Sequence, residues 1–285
     1  MAMAASGLVL VVEVWASRVT GSLALLSDAA HLFVDLSGLL LAYVALRLAS
    51  RPADDQATFG YLRMEVLAAA INGLLVAGMS VAIVWRAIGR LRQPLDELDV
   101  QTVLVVAVLG LMANLVAALL LHRHAHDNIN IKGAFLHVLG DALASVAVIV
   151  SAILVFVTGR TVWDTYVSFA VAAIIMVAAG GLLRGAVAIL LERAPPHLAP
   201  REIKDAVERL PDVCNVHDLH VWTLTPGRHS LSMHVTIARE ATDRYVQVIE
   251  AIEDVLEVRF GLDHCTIQVE PAGHDPVSDR HDPVA

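Results

Sequence analysis

The sequence predicts a membrane-embedded all-α bundle of six transmembrane helices followed by a small two-layer α+β domain, and three observations carry that expectation. Hydrophobic residues make up 57% of the 285 positions and charged residues only 17%, giving a mean hydropathy of +0.66. The charge is unevenly divided: residues 1–191 hold 11 Lys or Arg against 12 Asp or Glu, whereas residues 192–285 hold 9 against 17. Short polar connectors break the first part at regular intervals, while the acidic remainder shows the periodicities of water-exposed helices and strands.

A helix of about 20 apolar residues crosses the roughly 30 Å hydrocarbon layer. Such runs lie near 22–46, 66–90, 100–121, 134–158 and 166–191. A sixth, from Met1 to about Trp15, is marginal in length and carries Glu13. No basic segment precedes it, so a cleaved signal peptide is the poorer reading; it is expected to be a first span that is short or lacks its beginning. The connectors are SRPADDQATFGYLR (50–63), RLRQPLDELD (90–99), HRHAHDNINIK (122–132) and TGRTVWD (158–164). Their cations do not orient the bundle. Arg47, Arg51, Arg63, Arg123 and Lys132 fall on one side, and Arg18, Arg86, Arg90, Arg92 and Arg160 on the other. The acidic domain decides instead, being easier to leave in the cytoplasm than to export.

The transmembrane domain is thus expected over 1–191, with a linker at 192–200 where RAPPHLAP breaks the last helix. Residues 201–210 have helical spacing, with Ile203, Val207 and Leu210 on one side. Strand-like runs at 213–225 and 229–239 flank the turn signal Pro226-Gly227, a second amphipathic helix covers about 243–259, and a last strand 264–270. The order αββαβ over 201–271 suggests a ferredoxin-like domain. The tail 272–285 is polar and Pro-rich and is expected to be disordered. An acidic soluble part excludes a nucleic-acid surface. Cys214 and Cys265 form no CxxC or zinc-finger spacing and are read as reduced thiols facing a cytosol.

The chemistry lies in two copies of His-x-x-x-Asp inside apolar runs: His31 and Asp35 in LLSDAAHLFVDLSG, His137 and Asp141 in GAFLHVLGDALAS. An Asp at mid-bilayer depth costs about 2.5–3.5 kcal/mol on insertion scales. Four-residue spacing puts both side chains of a pair on one helix face, about 6 Å apart along the axis. Two such helices facing each other present two imidazoles and two carboxylates, a tetrahedral set for Zn2+. A single such residue is more simply an interhelical hydrogen-bonder, but recurrence at identical spacing favours a shared metal site. Two buried carboxylates are tolerable with a dication or with protons in its place. Because both ligand types bind metal only when deprotonated, the expected activity is proton-coupled metal antiport.

Other polar residues of the spans are read more plainly. Asp28 shares the His31 and Asp35 stripe and is assigned either to the ligand surroundings and proton path or to helix capping and packing. Asn72 and Asn114 are expected to hydrogen-bond between helices. Glu13, Glu65 and Asp164 lie nearer span ends, where pairing with Arg18, Arg63 or Arg160 is the cheaper explanation.

On GSLALLSDAAHLFVD, TFGYLRMEVLAAAIN, GAFLHVLGDALAS, VHDLHVWTLTPG and LSMHVTI, the chain resembles the zinc-exporting branch of the cation diffusion facilitator family over about residues 7–271. The resemblance implies six spans, both termini cytoplasmic, a metallochaperone-like soluble domain and a homodimer in a bacterial inner (plasma) membrane. It implies Zn2+ as transported substrate, exchanged for protons at His31, Asp35, His137 and Asp141, with no organic cofactor. Cytoplasmic zinc is implied at positions matching His217, His234 and Glu270, where it would act as a regulatory ligand; polar-face residues of strands are otherwise simply solvated. In the connector before the third span some relatives bind a second metal through an Asp and two His. Here Asp54 fits, but Ala57 and Tyr61 replace the histidines, so no metal is expected there. His122, His124 and His126 are read as a solvated helix end rather than a metal trap, and His220, His229 and His264 as non-ligands.

Two His with two Asp suit Zn2+ or Cd2+, and Co2+ or Ni2+ are compatible, whereas an all-carboxylate set would point to Mn2+. Two rival readings are a membrane-bound metal sensor that transports nothing and an intramembrane metallohydrolase. The latter is disfavoured because four protein ligands close the site to water and no HExxH is present.

Overall fold

A computed structural model describes residues 2–93, 95, 97–122 and 129–273, with the side chains of 2–5, 121–134, 136 and 137 outside the description. Residues 274–285 of the expected tail and the connector histidines His124 and His126 lie outside the described residues, as does the His122 side chain. Six helices come first: α1 (Ala2–Thr20), α2 (Leu23–Ala49), α3 (Met64–Arg92), α4 (Val100–His122), α5 (Ile129–Thr158) and α6 (Val162–Leu190). Five of them, α2 to α6, are long and apolar enough to cross a membrane. The 19 residues of α1 rise about 29 Å, close to the hydrocarbon thickness.

The chain divides into two compact units, one of residues 1–45 and 68–183, the other of 46–67 and 184–285. In the first, small residues let helices approach. Ala16, Ala24, Leu25, Val103, Ala107, Val148 and Ala152 form one buried cluster joining α1, α2, α4 and α5. Val34, Val76, Val171, Ile175 and Ala179 form another joining α2, α3 and α6. Helix α2 therefore contributes to both clusters. Gly21 adopts a φ of +72° in the sharp link between α1 and α2, a conformation that costs glycine little. At Gly38 an added Cβ would lie 2.9 Å from the Asn72 amide of α3. Asn72 is thus pressed against the α2 backbone, and its Oδ1 has no hydrogen-bond partner among the described residues. This replaces the expected interhelical hydrogen bond with steric seating.

The second unit carries the αββαβ order: α7 (Pro200–Glu208), β1 (Val213–Thr225), β2 (Arg228–Ile237), a 3-10 turn at Arg239–Arg244, α8 (Tyr245–Phe260) and β3 (Cys265–Pro271). The sheet order is β1-β2-β3, with β1 and β2 antiparallel and β2 and β3 parallel. Thr225 pairs with Arg228 across Pro226-Gly227, where Gly227 takes a φ of +82°, as the third residue of a type II turn requires. The strand β2 ends at Ile237, sooner than the expected 239, because the chain turns into the 3-10 segment after Ala238. Leu231, Met233, Val235 and Ile237 are all at most 1% exposed and meet Ile203 and Val207 of α7 and Val248, Ile252 and Leu256 of α8. The inward alternation read from the sequence is the alternation found.

Replacing Gly38 with Ala should lower the melting temperature of the detergent-solubilised protein, since overpacking of this kind costs about 1–3 kcal/mol. Adding Asn72→Ala should restore it, and a double variant no more stable than the single one would refute the steric seating.

Candidate metal centres

The first centre depends on how α2 is held. Its first turn is capped from another helix: the Asp164 carboxylate of α6 accepts the Ser22 hydroxyl at 2.5 Å, the Leu23 N–H at 2.6 Å and the Ala24 N–H at 3.3 Å. The Ser22 hydroxyl in turn accepts the Leu25 N–H at 3.1 Å. Free N–H groups and the positive end of the helix dipole make this a favourable seat for a carboxylate. Asp164 is 1% exposed, and its role is to fix the register of α2 rather than to pair with Arg160 as the sequence suggested.

Two to three turns further along α2, His31 and Asp35 face Asp141 of α5. Nε2 of His31 lies 3.8 Å from Asp35 Oδ2 and 3.3 Å from Asp141 Oδ1. One donor atom from each of the three residues falls within 4.8 Å of the others, close enough to share an ion. The side chains retain 25%, 19% and 10% exposure respectively, so this cluster is sheltered but not sealed. His137 lies on α5 one turn before Asp141, and its side chain is outside the described residues. Three of the four sequence-derived ligands are therefore brought together in the described structure.

Behind this cluster stand two more carboxylates. Asp28, 3% exposed, accepts a 3.4 Å hydrogen bond from the Ser145 hydroxyl of α5. Glu13 of α1 is 1% exposed, and its Oε1 would lie 3.1 Å from a Cβ added at Gly110 of α4, which also approaches Ser145. Its Oε2 has no hydrogen-bond partner among the described residues. Glu13, Asp28 and Asp141 are close enough to repel one another. The expected Glu13–Arg18 pair does not form: five residues apart on a helix, the two side chains point about 140° away from each other.

The second candidate centre lies on the three-stranded sheet of the second unit. His217 of β1 and His234 of β2 are cross-strand partners, with ring centroids 5.4 Å apart. Glu270 of β3 reaches both: its Oε2 lies 3.4 Å from His217 Nε2 and its Oε1 lies 3.1 Å from His234 Nδ1. Gln268 donates to Glu270 Oε1 at 2.8 Å. Glu270 is 4% and His217 6% exposed, so these polar-face residues are buried rather than solvated. A register shift between His217 and His220, with Asp218 at a φ of +48°, is a bulge that turns Asp218 onto the same side. Its carboxylate lies 3.7 Å from His234 Nε2 and 3.0 Å from His220 Nε2. Sequence reasoning missed Asp218, since strict alternation sends neighbouring residues to opposite faces.

Other sequence-marked residues have local duties. Asp54 accepts the Gln56 and Ala57 N–H groups at 2.9 and 2.7 Å and the Tyr61 hydroxyl at 2.8 Å; the Tyr61 bond and these backbone bonds hold its acidity on the strong side of the carboxylate range. Glu65 accepts the Thr225 hydroxyl at 2.8 Å, and Arg63 pairs with Glu192 at 2.6 Å, so the expected Arg63–Glu65 pair is replaced. Cys214 and Cys265 are free thiols. Burial, then Glu253 and Asp263, push the Cys265 thiol up to about 11, which keeps it protonated and a poor metal ligand.

Comparison with known proteins places these features. Residues 1–191 match the cation efflux transmembrane domain and residues 195–272 the cation efflux protein cytoplasmic domain. The metal cation efflux system protein CzcD of Cupriavidus metallidurans is 38% identical over 95% of this chain and 85% of its own. The cadmium, cobalt and zinc/H(+)-K(+) antiporter of Bacillus subtilis is 34% identical over 93% and 86%. The zinc transporter ZitB of Escherichia coli is 36% identical over 92% and 83%.

Removing the α2 cap by Asp164→Ala should destabilise the detergent-solubilised protein by about 2–3 kcal/mol, the worth of a buried carboxylate with several donors. Thermal unfolding followed by helical circular dichroism checks this. An unchanged transition would mean that Asp164 does not anchor α2.

Proposed function

Because the chain belongs to the cation efflux, or cation diffusion facilitator, family, we propose that it exports Zn2+ in exchange for protons by alternating access around His31, Asp35, His137 and Asp141. It is a multi-pass membrane protein and a metal cation efflux transporter, not an enzyme. The observation that carries the finer reading is the meeting of His31, Asp35 and Asp141 across α2 and α5 within 4.8 Å.

The chemistry of the donor set fits the cargo. Imidazole nitrogen and carboxylate oxygen bind Zn2+ at tetrahedral sites, and the relatives named above include a zinc transporter and a cadmium, cobalt and zinc antiporter. Asp35 and Asp141 together carry the charge that one dication cancels. When the ion leaves, protons restore neutrality at lower cost than two ionised carboxylates in a water-poor interior. Metal and protons are then alternative occupants, and a site opening first to one side and then to the other exchanges them. Asp28 and Glu13 add carboxylates beyond the ligands that would hold the displaced protons.

The soluble domain would regulate. His217, His234 and Glu270 supply two nitrogens and an oxygen at one buried point, a set that fits Zn2+, and Asp218 stands ready beside them. When bound there, the ion would cross-brace all three strands and couple the cytoplasmic zinc level to transport in a homodimer. The termini are assigned to the cytoplasm and the membrane to the bacterial inner membrane.

In proteoliposomes loaded with a zinc-sensitive dye, an outwardly directed pH gradient should drive Zn2+ flux, and Asp141→Ala should reduce it at least about 100-fold while leaving the melting temperature within a few degrees. Zn2+ affinity should fall as the pH drops from about 7.5 to about 6, where imidazole takes up a proton. Wild-type flux from Asp141→Ala, or flux indifferent to a pH gradient, would defeat the antiport reading. His234→Ala should instead leave basal flux intact and weaken zinc-dependent activation, read as a shift in the zinc concentration for half-maximal rate.

A further inference from the structure

We propose that a groove framed by α1, α2 and α3 in the first unit binds one anionic phospholipid, with its phosphate held between Arg18 and Arg86 and an acyl chain laid along the groove. Two adjoining cavities define it. One, of about 770 Å3, is walled by apolar side chains that include Leu10, Phe33, Met79 and Ala82. The other, of about 310 Å3, is bordered by Ser17, Arg18, Gly21, Arg86 and Arg90. Val14, Arg18, Leu26 and Arg86 line both, so a polar pocket opens directly into an apolar trough. Each volume lies in the range of about 300–1,000 Å3 usual for small-molecule sites.

The charges are arranged for an anion. Arg90 donates to the Gly21 carbonyl at 2.9 Å and lies in the field of Asp164, so its charge is locally spent. Arg18 and Arg86 are both exposed and form no ion pair or hydrogen bond among the described residues. Two uncompensated guanidinium groups at the mouth of one cavity suit a phosphate, which arginine engages through paired N–H donors. The level is also right for a headgroup. Trp15 and Trp85, beside these arginines in the chain, are 60% and 78% exposed, the placement expected where a helix passes from hydrocarbon to headgroups. From Arg86 back to Met79 the trough runs seven residues along α3, about 10 Å, enough to bury the upper half of an acyl chain. A basic pocket between spanning helices with an apolar extension offers an anionic lipid donors for its phosphate and a wall for its chain. This inference assumes only that the helices span a bilayer and makes no use of the transported ion.

Native mass spectrometry of the full-length protein released from membranes of mixed phosphatidylglycerol and phosphatidylcholine tests it. The wild type should retain one phosphatidylglycerol per chain at collision energies that strip phosphatidylcholine. Arg18→Gln with Arg86→Gln should cut that retention at least tenfold, and so should Ala82→Phe, which fills the trough and leaves both arginines in place. Equal retention of the two lipids by the wild type, or retention unchanged in both variants, would overturn the proposal. Displacement of the lipid by glycerol phosphate at equal concentration would overturn it in favour of a phosphate site. An Ala82→Cys variant that cross-links efficiently to a second copy in bilayers would overturn it in favour of an interface between chains.

Discussion

Carboxylates largely withdrawn from solvent set the conditions for the first unit. Glu13, Asp28, Asp141 and Asp164 are each at most 7% exposed, and a charged group away from water is costly, about 2.5–3.5 kcal/mol for an Asp at mid-membrane depth on insertion scales. The protein treats them in graded fashion. Asp164 receives a hydroxyl and two backbone N–H groups at a helix start. Asp28 receives one long bond from Ser145, and Asp141 receives the neighbouring imidazole of His31. Glu13 keeps an oxygen with no hydrogen-bond partner among the described residues. A fully satisfied carboxylate is a strut, because its charge is permanently balanced. Less satisfied ones have their charge only partly offset by the protein, and in the proposed exchange the cargo or protons would complete it.

That gradient works only if the helix bearing the ligands keeps its register. On α2, the Asp164 cap sets the start, the small buried run Ser27, Asp28, Ala29 and Ala30 allows close approach, and Gly38 receives the Asn72 amide beyond the ligands. The ligand pair lies between the cap and the glycine contact. Because these restraints come from α6 and α3, any shift of α2 relative to α5 must carry those helices with it or break the contacts.

Much of this was legible in the chain, and the remainder failed for identifiable reasons. The candidate ligand pairs are readable because a helix can offer two side chains to one ion only at set spacings, and the same spacing occurs twice. The sheet core was readable because Leu231, Met233, Val235 and Ile237 alternate without a break. The misassigned carboxylates were judged by nearness in sequence. Spacing alone weighs against those pairs: Arg18 follows Glu13 by five residues, Arg63 precedes Glu65 by two, and Arg160 lies before α6 begins at Val162. What no spacing could supply was the true partner, since Asp164 meets Ser22 from 142 positions away. Asp218 was hidden for a different reason. A bulge changes which face a residue occupies, and the surrounding pattern does not encode where the bulge falls.

The two centres use the same donor chemistry on scaffolds with opposite mechanical properties. His217, His234 and Glu270 lie on strands whose backbones are hydrogen-bonded to one another through the register His217 to His234 and His234 to Gln268. Separating those side chains would break the ladder and expose the core beneath, so the geometry offered to an ion there stays fixed while the ion itself exchanges with its surroundings. His31, Asp35 and Asp141 lie on two helices whose backbone hydrogen bonds are satisfied internally, so the helices can slide or tilt without loss of secondary structure. Sliding helices suit the release of cargo proposed for the first centre, and a fixed sheet suits the concentration-dependent occupancy proposed for the second.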